Sequence, residues 1–202
     1  MKVYPALPYT MISYTYSTSP DSDAFWSLVA YWASQLPRLS ESGLMGYHYP
    51  IPSDPTGKNS SLAGKLQGEW IGPELSKSEV EALLEPMNKQ IRSGELGASI
   101  VISNSNTSGS HFSELLVSEF SAQSAGKPAR LGSRLLDGKA LSKPLDELKH
   151  AFKTAHGKSQ GLQIFNIAGK GAREPVGGIP GGSNAVLPAW RSIYVMLVRS
   201  RS

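Results

Sequence analysis

Gly43-Leu44-Met45-Gly46-Tyr47-His48-Tyr49-Pro50-Ile51 and Leu62-Ala63-Gly64-Lys65-Leu66-Gln67-Gly68-Glu69-Trp70-Ile71 are two β-prone runs with no helix between them. The residues that separate them, Pro52 to Gly57, include two prolines, an aspartate and a glycine, which is turn chemistry. Two long strands joined back to back pair antiparallel, because a parallel pair needs a crossover of a dozen residues or more, usually a helix. That pair decides the fold class. In the first run His48 points away from both Tyr47 and Tyr49; in the second Gln67 and Glu69 share a face and Trp70 takes the other.

Outward from the pair, Thr10–Ser17 alternates Met11, Ser13 and Thr15 with Ile12, Tyr14 and Tyr16, a strand with aromatic side chains on one face. Ser22 or Asp23 caps a helix whose Phe25, Leu28, Val29, Trp32 and Leu36 fall on one stripe. Ser76-Lys77-Ser78-Glu79 is a capping box, and it opens a helix carrying Val80, Leu83, Leu84, Met87 and Ile91. Ala98–Ser103 reads as a strand and 110–121 as a short helix burying Phe112, Leu115, Leu116 and Phe120. Ala122–Lys139 reads as a Gly-, Ser- and base-rich loop. Ser142 then caps a helix with Pro144 in its first turn and Gly157 past its end. Leu162–Ile167 and Ile193–Val198 are the last strands, with an irregular Gly- and Pro-rich stretch, Gly169–Ser183, between them. Strands and helices do not alternate strictly. The expectation is an α+β domain spanning residues 1–202, with one antiparallel sheet of six or seven strands and helices on one face.

Composition narrows the chemistry. With 40% hydrophobic and 18% charged residues, the chain of 202 residues has the makeup of a globular domain. It contains no cysteine, so disulfides, thiolate nucleophiles and zinc–thiolate sites are excluded. That composition suits the cytosol, and the opening residues show no signal-peptide core. No window approaches the ~20 apolar residues needed to span a bilayer, so no membrane role is expected. The net charge of +4 is scattered, its one concentration being Arg199 and Arg201 with Lys149, Lys153 and Lys158. A nucleic-acid reader needs a basic stripe with aromatic platforms, which is not seen.

Active-site patterns are sparse. Gly177–Gly182 lacks both the Gly-Lys-Ser/Thr of a phosphate loop and the Gly-x-Gly-x-x-Gly of a dinucleotide loop, and reads as a surface loop. His48, His111, His150 and His156 show no metal-ligand spacing, and no Gly-x-Ser-x-Gly elbow exists. A carboxylate at Glu69 becomes a general acid or base if its face meets an apolar cavity, and is plain surface if the face is solvated.

Asn184-Ala185-Val186-Leu187-Pro188-Ala189-Trp190-Arg191 is the most specific string. On physical grounds Pro188 starts the last strand, Trp190 packs, and Arg191 stacks or pairs with a carboxylate. The string resembles the Asn-Ala-x-x-Pro-Ala-Trp-Arg of fungal flavin oxidoreductases of the berberine-bridge-enzyme-like family. Ala24-Phe25-Trp26, the Leu36–Gly46 run ending in Gly-x-x-Gly-Tyr, and Leu131-Gly132-Ser133-Arg134-Leu135-Leu136 before Leu141-Ser142 are similar to the same family in the same order. The resemblance implies the substrate domain of such an enzyme, whose sheet roofs the flavin, without the flavin-binding domain. The histidine and cysteine that tether the flavin have no counterpart, nor has the C-terminal Tyr-x-Asn motif. No cofactor and no metal are therefore expected.

Two readings follow from that resemblance. One is a cofactor-free enzyme of natural-product biosynthesis that binds an apolar polyketide- or terpenoid-like molecule and promotes cyclisation, including Diels–Alder-type closure, or isomerisation. Its expected catalytic residues are His48, Glu69 and Arg191, and its substrate-binding residues Tyr14, Tyr16, Gln163, Asn166 and Trp190, with hydrogen-bond donors among them stabilising developing charge. The other is a non-catalytic binding remnant, or a split subunit of a flavin-linked oxidoreductase. An uncovered sheet face would self-associate, which implies a twofold homodimer.

Overall fold

The computed structural model describes residues 7–18, 22–52, 64–96, 100–111, 130–157, 161–167 and 187–201. Their strands are β1 (Tyr9–Ser17), β2 (Met45–Ile51), β3 (Lys65–Pro73), β4 (Val101–Gly109), β5 (Arg130–Asp137), β6 (Gly161–Asn166) and β7 (Ile193–Arg201). The helices are α1 (Ser22–Ser34), α2 (Leu36–Glu41), α3 (Lys77–Arg92), α4 (Gly138–Leu141) and α5 (Leu145–His156), with a 3-10 turn at Pro188–Arg191. All seven strands form one sheet in the order β4-β1-β3-β2-β6-β7-β5, and every pairing is antiparallel. The expected α+β class and single antiparallel sheet are thus what the chain forms, and the described helices share a core with one face of it.

Period-2 alternation builds that core. Ile12, Tyr14 and Tyr16 of β1, Leu66 and Trp70 of β3, and Ile164 of β6 all face the helices and are buried. Against them pack Phe25, Leu28, Val29 and Trp32 of α1, and Val80, Leu84, Met87 and Ile91 of α3; Leu83 is only half-buried. The capping box forms as read: Ser76 Oγ accepts from Glu79 N–H, and Glu79 Oε2 accepts from Ser76 N–H at 2.8 Å. Leu148 and Phe152 seat α5 on the same core, and Lys149 Nζ ties it to Asp23 of α1 at 2.9 Å.

Several local expectations are corrected. Residues 130–137, read as loop, form β5 along the edge of the sheet beside β7. The Ala98–Ser103 strand instead runs from Val101 to Gly109, because its polar Ser-Asn-Ser-Asn-Thr-Ser tail pairs with β1 along its whole length. Leu36 does not continue α1: Pro37 has no N–H to give, and a new helix starts at Leu36. Ser142 ends α4 rather than capping α5, its hydroxyl donating to Gly138 O at 2.8 Å, and Pro144 is the cap position of α5. Pro188 opens the 3-10 turn, not the last strand, which begins at Ile193. The helix expected over 110–121 falls almost wholly outside the described residues, as do Gly169–Ser183 and Asn184–Val186.

Candidate substrate site

The expected site residues divide between the two faces of the sheet. Tyr14, Tyr16, His48 and Asn166 lie on the helix-covered face, all buried; His48 has no exposed surface. Three of them form one hydrogen-bonded chain. Asn166 Nδ2 donates to Leu44 O at 3.2 Å, so its Oδ1 is the acceptor for His48 Nε2 at 2.7 Å. A neutral imidazole with its proton on Nε2 has an accepting Nδ1, and Tyr14 O–H donates to it at 3.0 Å. Burial pushes the His48 pKa down to about 3, against the weaker opposing effect of Asn166, so the ring is neutral at physiological pH.

The same burial raises the Tyr14 and Tyr16 hydroxyls well above their ordinary range. Tyr16 O–H donates to Asn88 Oδ1 of α3 at 2.8 Å. The strands make room for the imidazole with glycine: a Cβ on Gly68 would lie 2.8 Å from His48 Nδ1, and one on Gly46 2.8 Å from its Cε1. Trp32 and Trp70 close over it, with ring centroids 4.7 and 4.5 Å away. This chain spans β1, β2 and β6 and ends on the turn between α2 and β2, and it sits where a solute does not reach.

The opposite face carries Glu69 and Gln163, half-buried, with Tyr47, Tyr49, Gln67 and Phe165. Tyr47 and Phe165 meet edge to face at 5.3 Å. Tyr49 is raised above its ordinary pKa, by burial first and then by the Glu69 charge. At the end of β2, β3 and β6 this face runs into a groove of about 1170 Å³. Tyr49, Pro50, Ile51, Pro52, Gln67, Leu162 and Gln163 line its sheet side, and Trp26 of α1 with Lys153 and His156 of α5 its helix side.

Gln163 is the one expected site residue in the groove lining. Glu69 shares the face two positions along β3 from Gln67. Trp190 and Arg191, half-buried on the 3-10 turn, lie beyond the far end of β7. Seven residues of strand from Ile193 to the groove residue Ser200 put that turn roughly 23 Å away. Sequence reasoning missed Trp26, Tyr49, Pro50, Lys153 and His156. Strand parity opposite His48 was the available signal for Tyr49; Lys153 and His156 carried only their i, i+3 spacing at a helix end.

The fold is shared with flavoproteins. A VAO-type flavoprotein from Myceliophthora thermophila C1, MtVAO713, superposes with a TM-score of 0.80 at 19% identity, over 98% of this chain and 35% of its own. A second from the same organism, MtVAO615, gives 0.68 at 14% identity, over 96% and 33%. A single-substitution variant of berberine bridge enzyme gives 0.60 at 8%, over 96% and 36%. The chain thus spans about a third of the length of these proteins, and it has the fold that the sequence resemblance implied. No protein-family model matches the sequence, and no curated protein does.

Among the described residues, no helix is long and apolar enough to cross a membrane, and no three potential ligands gather around a metal position. A flavin dinucleotide needs free backbone N–H groups, at a helix N-terminus or in a turn, for its diphosphate. The start of α3 is closed by its own capping box, and that of α4 by Asp137 Oδ1 accepting from Ala140 N–H at 2.8 Å. Helix α5 has no side-chain cap, but its first turn carries Asp146 and Glu147, whose negative charges repel a diphosphate. None of these helix starts fits a diphosphate.

Proposed function

We propose that this chain is a substrate-binding unit of the flavin-linked oxidoreductase architecture, and that its groove takes an apolar, aromatic small molecule. The observation that carries the reading is the groove itself, a concavity of small-ligand size walled by Trp26, Tyr49, Pro50, Ile51, Pro52 and Leu162. Gln67 and Gln163 supply amide donors and acceptors that fix a ligand's orientation. In this reading the electron carrier is held by other residues than the three helix starts described above. A cysteine-free sequence is compatible with a cytosolic setting. A second copy stacked on the half-exposed sheet face is the proposed partner when no other segment covers it.

A redox-neutral cyclisation or isomerisation by the chain itself is the second reading. Glu69 favours it, as a half-buried carboxylate beside Tyr49 on the face that runs into the groove, where it can take or return a proton. His48 takes no part in such a step, because both its nitrogens are engaged in the core.

Titration of the purified chain with N-phenyl-1-naphthylamine, followed by dye and tryptophan fluorescence, tests the binding reading. Saturable binding is expected, and Gln163→Trp, which fills the groove, should abolish it with an unchanged far-UV spectrum. Binding that does not saturate, or that ignores the filled groove, refutes the assignment. A Glu69→Gln variant separates the two readings: loss of turnover on a substrate that gains and loses no electrons supports the isomerase, and flavin absorbance with electron uptake supports the oxidoreductase.

A further inference from the structure

The groove has a chemical polarity that the binding reading does not use. Its helix side is basic: Lys153 and His156 stand one turn apart on α5, and no carboxylate lines the groove among the described residues. A third base backs them. Arg199 of β7 precedes the groove residue Ser200 and pairs with Leu162 of the groove wall. Its Nη2 lies 3.4 Å from where a Cβ on Gly157 would sit, and its charge is felt at His156. Its Nε is buried with no hydrogen-bond partner.

Leaving a guanidinium donor buried and unpaired is costly, and native proteins rarely do so without an acceptor to receive it. The next strand adds to the excess. Arg130 and Arg134 of β5 are exposed. Asp23, the carboxylate that feels Lys153, is already held by Lys149 at 2.9 Å. The C-terminal carbonyls of α5 account for part of this positive charge, with about half an elementary charge. Lys153 in the groove lining, with Arg199 behind it, exceeds that.

We infer that the groove selects an amphiphilic anion: an aromatic acid whose rings lie on Tyr49, Trp26 and the β2 prolines and whose carboxylate or other anionic group meets Lys153 and Arg199. The inference rests on the groove being a small-molecule site, as proposed above, and adds the charge of its ligand. Arg presents a planar fork that matches a carboxylate or sulfonate, and Lys adds a point charge from the helix side. Neutral aromatic molecules satisfy the walls and bring no counter-charge to Lys153.

A matched pair of dyes tests this on the intact chain. 8-Anilinonaphthalene-1-sulfonate carries a sulfonate on the ring system of N-phenyl-1-naphthylamine, which is uncharged. The anionic dye should bind at least ten-fold more tightly, and its affinity should fall with added salt. Lys153→Ala should weaken the anionic dye five-fold or more and leave the neutral dye unchanged; Arg199→Gln, checked for folding by circular dichroism, should do the same. Equal affinity for the two dyes overturns the inference and leaves the groove reading standing. Preference for the anion that survives both substitutions also overturns it, because the charge then acts elsewhere. Failure of both dyes to bind refutes the groove reading itself.

Discussion

Lowering the pH should destabilise this protein through one buried ring. His48 is neutral in the fold with a pKa of about 3, against an ordinary value of 6.5 in the unfolded chain. The sign follows: the unfolded state takes up a proton that the folded state refuses, so stability is lost as pH falls below 6.5, and the loss levels off near 3. Each pH unit in that window costs about 1.4 kcal/mol. Between about pH 7.5 and about pH 5 the ring alone accounts for about 2 kcal/mol, a sizeable share of a typical domain's stability. His156, whose pKa burial also lowers, adds loss of the same sign. It contributes to any variant alike and cancels in a difference.

The assay is urea unfolding at both pH values for the wild type and for His48→Gln, which cannot titrate. The wild type should lose about 2 kcal/mol more than the variant on acidification. In the wild type the Nε2–H resonance of His48 should also persist at the lower pH. A difference below about 0.5 kcal/mol would falsify the sealed, neutral state assigned to the ring.

Three further outcomes follow from the same packing. Asn166→Ala strands His48 Nε2–H and Leu44 O in the core, and two unpaired buried groups should cost about 2–5 kcal/mol in denaturant unfolding. Gly68→Ala puts a Cβ 2.3 Å from Tyr47 O as well as against His48; since backbone cannot yield as a side-chain tip does, a loss of at least ~2 kcal/mol is expected, and a neutral melting temperature would contradict the geometry. Ser76→Ala opens the capping box of α3 and should lower stability by about 1 kcal/mol without touching dye binding.

The parts of the fold that could be read from the sequence are those with one buried face. β1 alternates because Ile12, Tyr14 and Tyr16 face the helices, and β2 and β3 show the same parity around His48 and Trp70. β5 and the polar half of β4 were hidden for the converse reason. They are the two edges of the sheet and mostly exposed on both faces, so no apolar stripe marks them; pairing with β1 and β7 sets their course. Parity alone also could not say which face the helices cover. It sorts Tyr14, Tyr16, His48 and Asn166 into one set and Glu69 and Gln163 into the other, but the tyrosine, histidine and asparagine heads read equally well as ligand groups or as a core network. What decides between them is tertiary. Three mutually satisfied side chains and two facing glycines make the first set a lock on strand register. The groove shows the same limit more strongly: Trp26, Tyr49, Gln163 and His156 come from α1, β2, β6 and α5, and only the antiparallel order that puts β2 between β3 and β6 brings them to one end of the sheet.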